Sequence, residues 1–147
     1  MWYSIAKLRP DNLFPDENLV ASVIIFREKN DIVEVLLERR SESDKKQVWA
    51  IPSGHVEKGE TIIEAAVREM KEETNLKLKP KNLQFIEKTE NKNKAIFTYA
   101  TVYKKDKKEK AGSDAEYIEW INVTDLPDLA WNCKELINRA LKDYFKD

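Results

Sequence analysis

The chain has 147 residues, 26 of them Lys or Arg and 27 Asp or Glu, for a net charge of −1. That length suits one domain, residues 1–147, with a reasonable core, and the balanced charge excludes a bulk electrostatic pull toward nucleic acid or membrane. No apolar run approaches the ~20 residues of a bilayer span, Met1-Trp2-Tyr3-Ser4 does not begin a basic-then-apolar leader, and the lone Cys133 cannot form an internal disulfide, so a reducing cytoplasm is the expected setting.

In chain order, Leu19–Phe26 and Ile32–Glu38 are β-rich runs joined by the polar stretch Arg27 to Asp31. Ser41 to Lys46 is a polar loop, a candidate flexible lid. Val48–Ile51 is a short strand entering a Pro52-Ser53-Gly54 turn. A helix is expected from about Thr61 to Thr74, with Ile63, Ala66, Val67 and Met70 as its apolar stripe and Lys79-Pro80 closing its exit. Leu83–Thr89 and Ala95–Tyr103 form a second strand pair across Asn91-Lys92-Asn93, and Tyr117–Ile121 is the last strand. Lys104 to Lys110, without aromatic or glycine residues, reads as a solvated loop rather than a nucleic-acid patch. The terminal helix starts at Asn132, with Glu135 completing a capping box, and buries Leu136, Ile137, Ala140, Leu141 and Tyr144. Cys133 is expected to be a small buried residue. Helices among strands imply a sheet covered on two faces.

The chemistry concentrates at Arg68-Glu69-Met70-Lys71-Glu72-Glu73. At ~100° per residue, Glu72 lies about 60° to one side of Glu69 and Glu73 about 40° to the other, so the three carboxylates share one helix face. Glu69 and Glu73 are a like-charge i,i+4 pair, which destabilises a helix. A face of oxygen ligands opposite an apolar stripe suits a hard divalent cation, which keeps water and substrate phosphate in its other positions.

Gly54, Glu60 and Arg68-Glu69-Met70-x-Glu72-Glu73-x-x-Leu76 resemble the Nudix box, the signature of the Nudix hydrolases. Asn75 stands where that pattern has Gly; a helix C-terminus calls for a left-handed residue, and Asn is the best substitute for Gly there. Trp49-Ala50-Ile51-Pro52-Ser53-Gly54 is similar to the family's entry segment, with Ser53 replacing the first Gly of its Gly pair. The resemblance implies an α/β fold, the α/β/α sandwich with a mixed β-sheet between helices. It also implies Mg2+, with Mn2+ as the alternative, and a water-driven cleavage of a diphosphate in a nucleoside diphosphate derivative. By the same resemblance Glu72 and Glu73 are central metal ligands, Glu69 is a ligand or orients one, the Gly54 carbonyl reaches the metal, and Glu60 pairs with Arg68. The general base stays open among the carboxylates.

Family members often take a further acid from a loop before the last strand; counting back from Trp120, that residue is Asp114, with Glu116 as runner-up. Ala111-Gly112-Ser113-Asp114-Ala115 and Leu129-Ala130-Trp131-Asn132 are similar to motifs of an ADP-ribose pyrophosphatase-like subgroup. Arg39 or Arg40 is a candidate for phosphate, and Trp2, Tyr3 or Trp131 for stacking on adenine. The expected partner is thus a small nucleotide, ADP-ribose first, with no membrane and no nucleic acid. A nucleoside triphosphate (oxidised or not) or a dinucleoside polyphosphate is the alternative substrate, and a non-catalytic nucleotide sensor the alternative of another class. By analogy with the family, a homodimer that completes its sites across the interface is a further expectation.

Overall fold

A computed structural model describes residues 18–41, 47–91, 93–104 and 118–145. The side chains of Arg40, Ser41, Gln47 and Asn91 lie outside the description, as do the candidates Trp2, Tyr3, Asp114 and Glu116, the Ser41–Lys46 loop beyond the Ser41 backbone, and the lysine run after Lys104.

Strand β1 (Asn18–Lys29) carries the strongest apolar run of the chain, and its two parities divide the core. Leu19, Ala21, Val23 and Ile25 face one way, toward Ile62, Ala65, Ala66 and Met70 of helix α1 (Ile62–Thr74). Ile24 and Phe26 face the other, toward Leu136, Ile137 and Ala140 of helix α2 (Cys133–Tyr144). A strand apolar at both parities has both faces covered, and a helix on each side is the layering expected from the sequence. Among the described residues, no helix is long and apolar enough to cross a membrane.

The remaining strands are β2 (Ile32–Ser41), β3 (Gln47–Ala50), β4 (Ser53–His55), β5 (Gln84–Asn91), β6 (Lys94–Val102) and β7 (Ile118–Asn122). The sheet is mixed: β1 runs parallel to β6 from Asn18↔Lys94 to Phe26↔Val102, and the other pairings are antiparallel. The strands β1 and β2 extend through the stretch expected to be a polar connection. Their turn is only Asn30-Asp31, at φ 54° and 66°, the two left-handed residues of a tight hairpin turn whose twist matches the strands it joins.

Beyond the Phe26↔Val35 pair, β1 and β2 part company. The opening is filled by β3, paired to β2 at Glu38↔Ala50, and by β4, paired to β1 at Ala21↔Gly54. Pro52 joins the two, and its carbonyl accepts from the Val23 amide at 3.1 Å. Pro52-Ser53-Gly54 is therefore not the simple turn its composition suggests; Ser53 to His55 is a three-residue strand that completes the β1 ladder. On its other edge β2 pairs with β7, so Glu38 has Ala50 on one side and Ile118 on the other.

Helix α1 starts from a capping box at Thr61 and Glu64, each side chain bonding the other's backbone amide at 3.1 and 2.8 Å. Its buried stripe is Ile62, Ala65, Ala66 and Met70, rotated from the expected one: Ile63 and Val67 are only partly buried. Asn75 ends it at φ 63°, ψ 15°, the left-handed cap expected of it, with its amide bonded to the Lys71 carbonyl. The second capping box does not form. Asn132 stands at the expected start of α2 but makes no side-chain cap bond, and its backbone, at φ −98° and ψ 21°, is not the extended one a capping residue adopts. In α2 Cys133 is buried as expected, whereas Leu141 and Tyr144 are only partly buried; the Tyr144 hydroxyl donates to the Ala100 carbonyl at 2.7 Å.

The left-handed cap makes a testable demand. Asn75→Ala should cost about 1 kcal/mol, whereas Asn75→Gly should leave stability equal or slightly higher. Urea unfolding of the two variants checks this; equal midpoints would show that the cap conformation carries no strain.

Candidate active site: a carboxylate helix held against a glycine

Gly54 and Glu69 touch. A Cβ built on Gly54 would overlap the Glu69 side chain, so only glycine lets the β4 backbone lie against that carboxylate. Arg68 then fixes the loop between Gly54 and the helix. Its Nε donates to Glu60 Oε2 at 2.6 Å and its Nη2 to Glu60 Oε1 at 3.0 Å, the two-pronged geometry that makes Arg–carboxylate pairs strong. Nη2 also reaches the His55 carbonyl at 3.0 Å, and Glu60 Oε1 accepts from the Glu57 amide at 2.9 Å. Hydrogen bonding from Arg68 holds the Glu60 carboxyl below its ordinary range, and hydrogen bonding to Glu60 raises Arg68 in turn. This is the Glu60–Arg68 pair expected from the sequence.

The remaining guanidinium nitrogen faces the acid cluster. Arg68 Nη1 donates to Glu69 Oε1 at 2.9 Å and to Glu72 Oε1 at 3.2 Å. Glu69 is mostly buried and Glu72 is 58% exposed, so Glu72 keeps the most rotamer freedom of the cluster.

Glu73 turns the other way, into the sheet. After burial, the Glu38 and Glu69 carboxyls are what keep its proton on. Glu38 belongs to β2, on the same parity as Leu36 and hence on the α1 face, and is only 8% exposed. It lies outside the motif and was not among the expected site residues; the signal for it in the sequence is a lone carboxylate at the inward parity of an apolar strand. Burial first, and the facing Glu38 next, push Glu73 up to about 9.

Among the described residues, no three His, Cys, Asp or Glu side chains are already arranged as a metal-holding group. The donor chemistry nonetheless fits a hard divalent cation. Glu69 and Glu73 bring carboxylate oxygens to one helix face, Arg68 flanks Glu69, and the glycine contact brings β4 backbone against that carboxylate. Arg39 lies on the opposite sheet face, its guanidinium 5.9 Å from the Trp49 ring, and is not gathered with the carboxylates.

On that opposite face a cavity of about 460 Å³ opens beside β4. Gly54, His55, Thr89, Lys94, Trp131 and Asn132 are among its lining residues. Gly54 thus borders the carboxylates with one side of its backbone and the cavity with the other. Trp131 is 71% exposed although large and apolar, and the Thr89 hydroxyl is buried without a hydrogen-bond partner.

The protonated Glu73 has a consequence for stability. An unfolded chain gives up this proton near the ordinary 4.5, the folded metal-free chain near 9, so the folded state holds the extra proton between those values. Its stability contribution is complete below about pH 4.5 and is lost as pH rises toward about 9. In EDTA, the melting temperature of the wild type should therefore fall from pH 5 to pH 9 more steeply than that of Glu73→Gln. Parallel curves would mean that Glu73 titrates normally.

The family model for the NUDIX domain matches residues 16–140. An ADP-ribose pyrophosphatase of Methanocaldococcus jannaschii is 35% identical over 116 residues, which are 77% of this chain and 66% of that protein. Nudix hydrolase 1 of Caenorhabditis elegans is 34% identical over 122 residues, 83% of this chain but 33% of that protein. The chain therefore spans one third to about two thirds of the length of these relatives. Among solved structures, the NUDIX domain of Shewanella oneidensis NrtR, complexed with ADP ribose, superposes with a TM-score of 0.70 at 17% identity, covering 97% of each chain. The fold, the glycine-backed carboxylate helix and the family match agree: this chain belongs to the Nudix family.

Proposed function

We propose that this chain is a Mg2+-dependent hydrolase (Mn2+ being the alternative) that cleaves the diphosphate of a nucleoside diphosphate derivative, ADP-ribose first, to AMP and ribose 5-phosphate. The observation that carries this reading is the double contact of Gly54, whose backbone adjoins the carboxylates on one side and a nucleotide-sized cavity on the other. A diphosphate passing over β4 would have its phosphorus atoms at the carboxylates and its nucleoside in the cavity.

Glu69, Glu72 and Glu73, with the Gly54 carbonyl, would hold the metal, which when bound neutralises phosphate oxygens and lowers the pKa of an attacking water. Water adds to one phosphorus, its proton passes to a carboxylate, and the bridging oxygen leaves with the other phosphate. Arg68 and Glu60 keep the loop seated during this exchange. Asp114 and Glu116, outside the described residues, are proposed as a further ligand or base and a substrate contact. Arg40 is proposed for phosphate and Trp131 for the base, whereas Arg39, on the sheet face away from the carboxylates, is not assigned to the diphosphate. Exposure of Trp131 at the cavity supports the last role, since an indole face stacks well on a purine. The unpartnered Thr89 hydroxyl supports a polar occupant of the same cavity.

The M. jannaschii relative's name favours ADP-ribose. A second reading, hydrolysis of oxidised nucleotides, rests on the human 8-oxo-dGDP phosphatase NUDT18, 40% identical over 63 residues that cover 43% of this chain and 19% of that protein. Turnover with Mg2+ of ADP-ribose, sugar nucleotides, diadenosine polyphosphates and oxidised nucleotides separates the two. We expect AMP from ADP-ribose, and Glu73→Gln should lower kcat by at least about 10²-fold with an unchanged melting temperature at pH 5. Near-full activity of that variant would sink the ligand assignment; binding of nucleotides without any turnover would make the protein a sensor.

A further inference from the structure

Arg27, Arg68, Lys88 and Arg139 are each answered by an acid, Glu34, Glu60, Glu90 and Glu87 in turn. Lys77, Lys79 and Lys104 make no ion pair among the described residues, yet all three line one cavity of about 460 Å³ at the end of β6. Its described lining contains no acid. On a chain whose net charge is only −1, three ammonium groups around one concavity make a local positive potential. The backbone that carries them is fixed. Leu76 and Leu78, buried in the core under α1, alternate with the exposed Lys77 and Lys79. The Asn82 amide closes the next turn on the Lys79 carbonyl at 2.9 Å, and the Tyr103 amide, one residue before Lys104, donates to the Phe26 carbonyl at 2.7 Å. Strand β5 begins only at Gln84, opposite Ala100, so the last residues of β6 form an open sheet edge beside the cavity. The rest of the wall is apolar: Leu78, Val102 and the ring of Tyr144, whose hydroxyl is tied to the Ala100 carbonyl at 2.7 Å.

We propose that this cavity is a second ligand site, for a small phosphorylated organic molecule: Lys77, Lys79 and Lys104 take the phosphate, and Leu78, Val102 and the Tyr144 ring take the organic part. Polar groups gathered on an apolar wall are the usual make-up of a small-molecule pocket, and the volume is within the range of such pockets. The site is neither the carboxylate centre nor the cavity beside β4, with which it shares no lining residue. Along β1, Gly54 pairs with Ala21 and Val102 with Phe26, five residues further on, or about 16 Å. Binding here needs neither the metal nor turnover.

The test is a titration of the wild type in EDTA, read by backbone-amide NMR shifts, with AMP as the probe and adenosine and inorganic phosphate as controls. AMP should shift the amides of Lys77, Asn82 and Lys104 with a Kd of about 1 mM or tighter, and each control should bind at least about tenfold more weakly. Lys77→Met combined with Lys104→Met should weaken AMP about tenfold at these amides, whereas Lys77→Arg combined with Lys104→Arg should hold it within about threefold of wild type. Adenosine binding as tightly as AMP would overturn the role of the lysines, and inorganic phosphate doing so would overturn that of the apolar wall. Shifts confined to the residues around Gly54 and Trp131, or wild-type affinity in the Met pair, would overturn the second site outright. Should the Met pair fail to fold, an AMP affinity unchanged by added salt would overturn it equally.

Discussion

Everything at this site hangs on one guanidinium. Arg68 is the only described group that touches the loop, the pairing acid and the carboxylate cluster together, through His55, Glu60, Glu69 and Glu72. Its fork suits the task, since Nε and Nη2 close on Glu60 while Nη1 is left for the helix acids. A lysine, as a point charge without a fixed fork, would meet one demand or the other. The interaction also lets a like-charged helix face exist before any metal arrives. Repulsion between Glu69 and Glu72 is met by a single shared proton donor between them, at a position only partly open to solvent.

The second constraint is the opening between β1 and β2. A continuous β1–β2 ladder would place β2 backbone where β4 now lies, and Gly54 could not come against Glu69. By splitting the sheet, the fold inserts a loop-bearing segment into its own centre and still satisfies the backbone through the β1–β4 pairs and the Val23 to Pro52 bond. The same split brings Glu38 of β2 to face the helix acids. An active-site glycine and a buried acid from different strands thus share one cause.

How much of this is legible in the sequence follows from the range of each interaction. The carboxylate face, the Glu60–Arg68 pair and the left-handed role of Asn75 depend on residues within one helix and its loop, and their spacing is visible without tertiary structure. The β4 segment is hidden because three residues beside a proline and a glycine show no alternation; only pairing with distant β1 makes them a strand. Glu38 is hidden for the same reason, its meaning depending on a contact with Glu73 across the sheet–helix interface. The capping boxes are more instructive. Asn132 with Glu135 and Thr61 with Glu64 have the same spacing, yet only the second forms: Thr61 is extended at φ −78°, ψ 164°, whereas Asn132 stands at φ −98°, ψ 21° in a segment tied to β3 through the Ala130 amide and the Trp49 carbonyl at 2.9 Å.

The parallel pairing of β1 with β6 has a kinetic side. Ser22 and Thr98, which face each other in that ladder, are 76 residues apart in the chain. The hairpins β1–β2 and β5–β6 close over only a few residues and can form early; the central pair must first confine a long loop, which makes it entropically late. Gly54 rests on β1, and the core under α1 takes residues from both β1 and β6. The catalytic geometry therefore has no half-built form. A chain with its local hairpins in place but its central ladder open would have strands and a nascent helix, and no site.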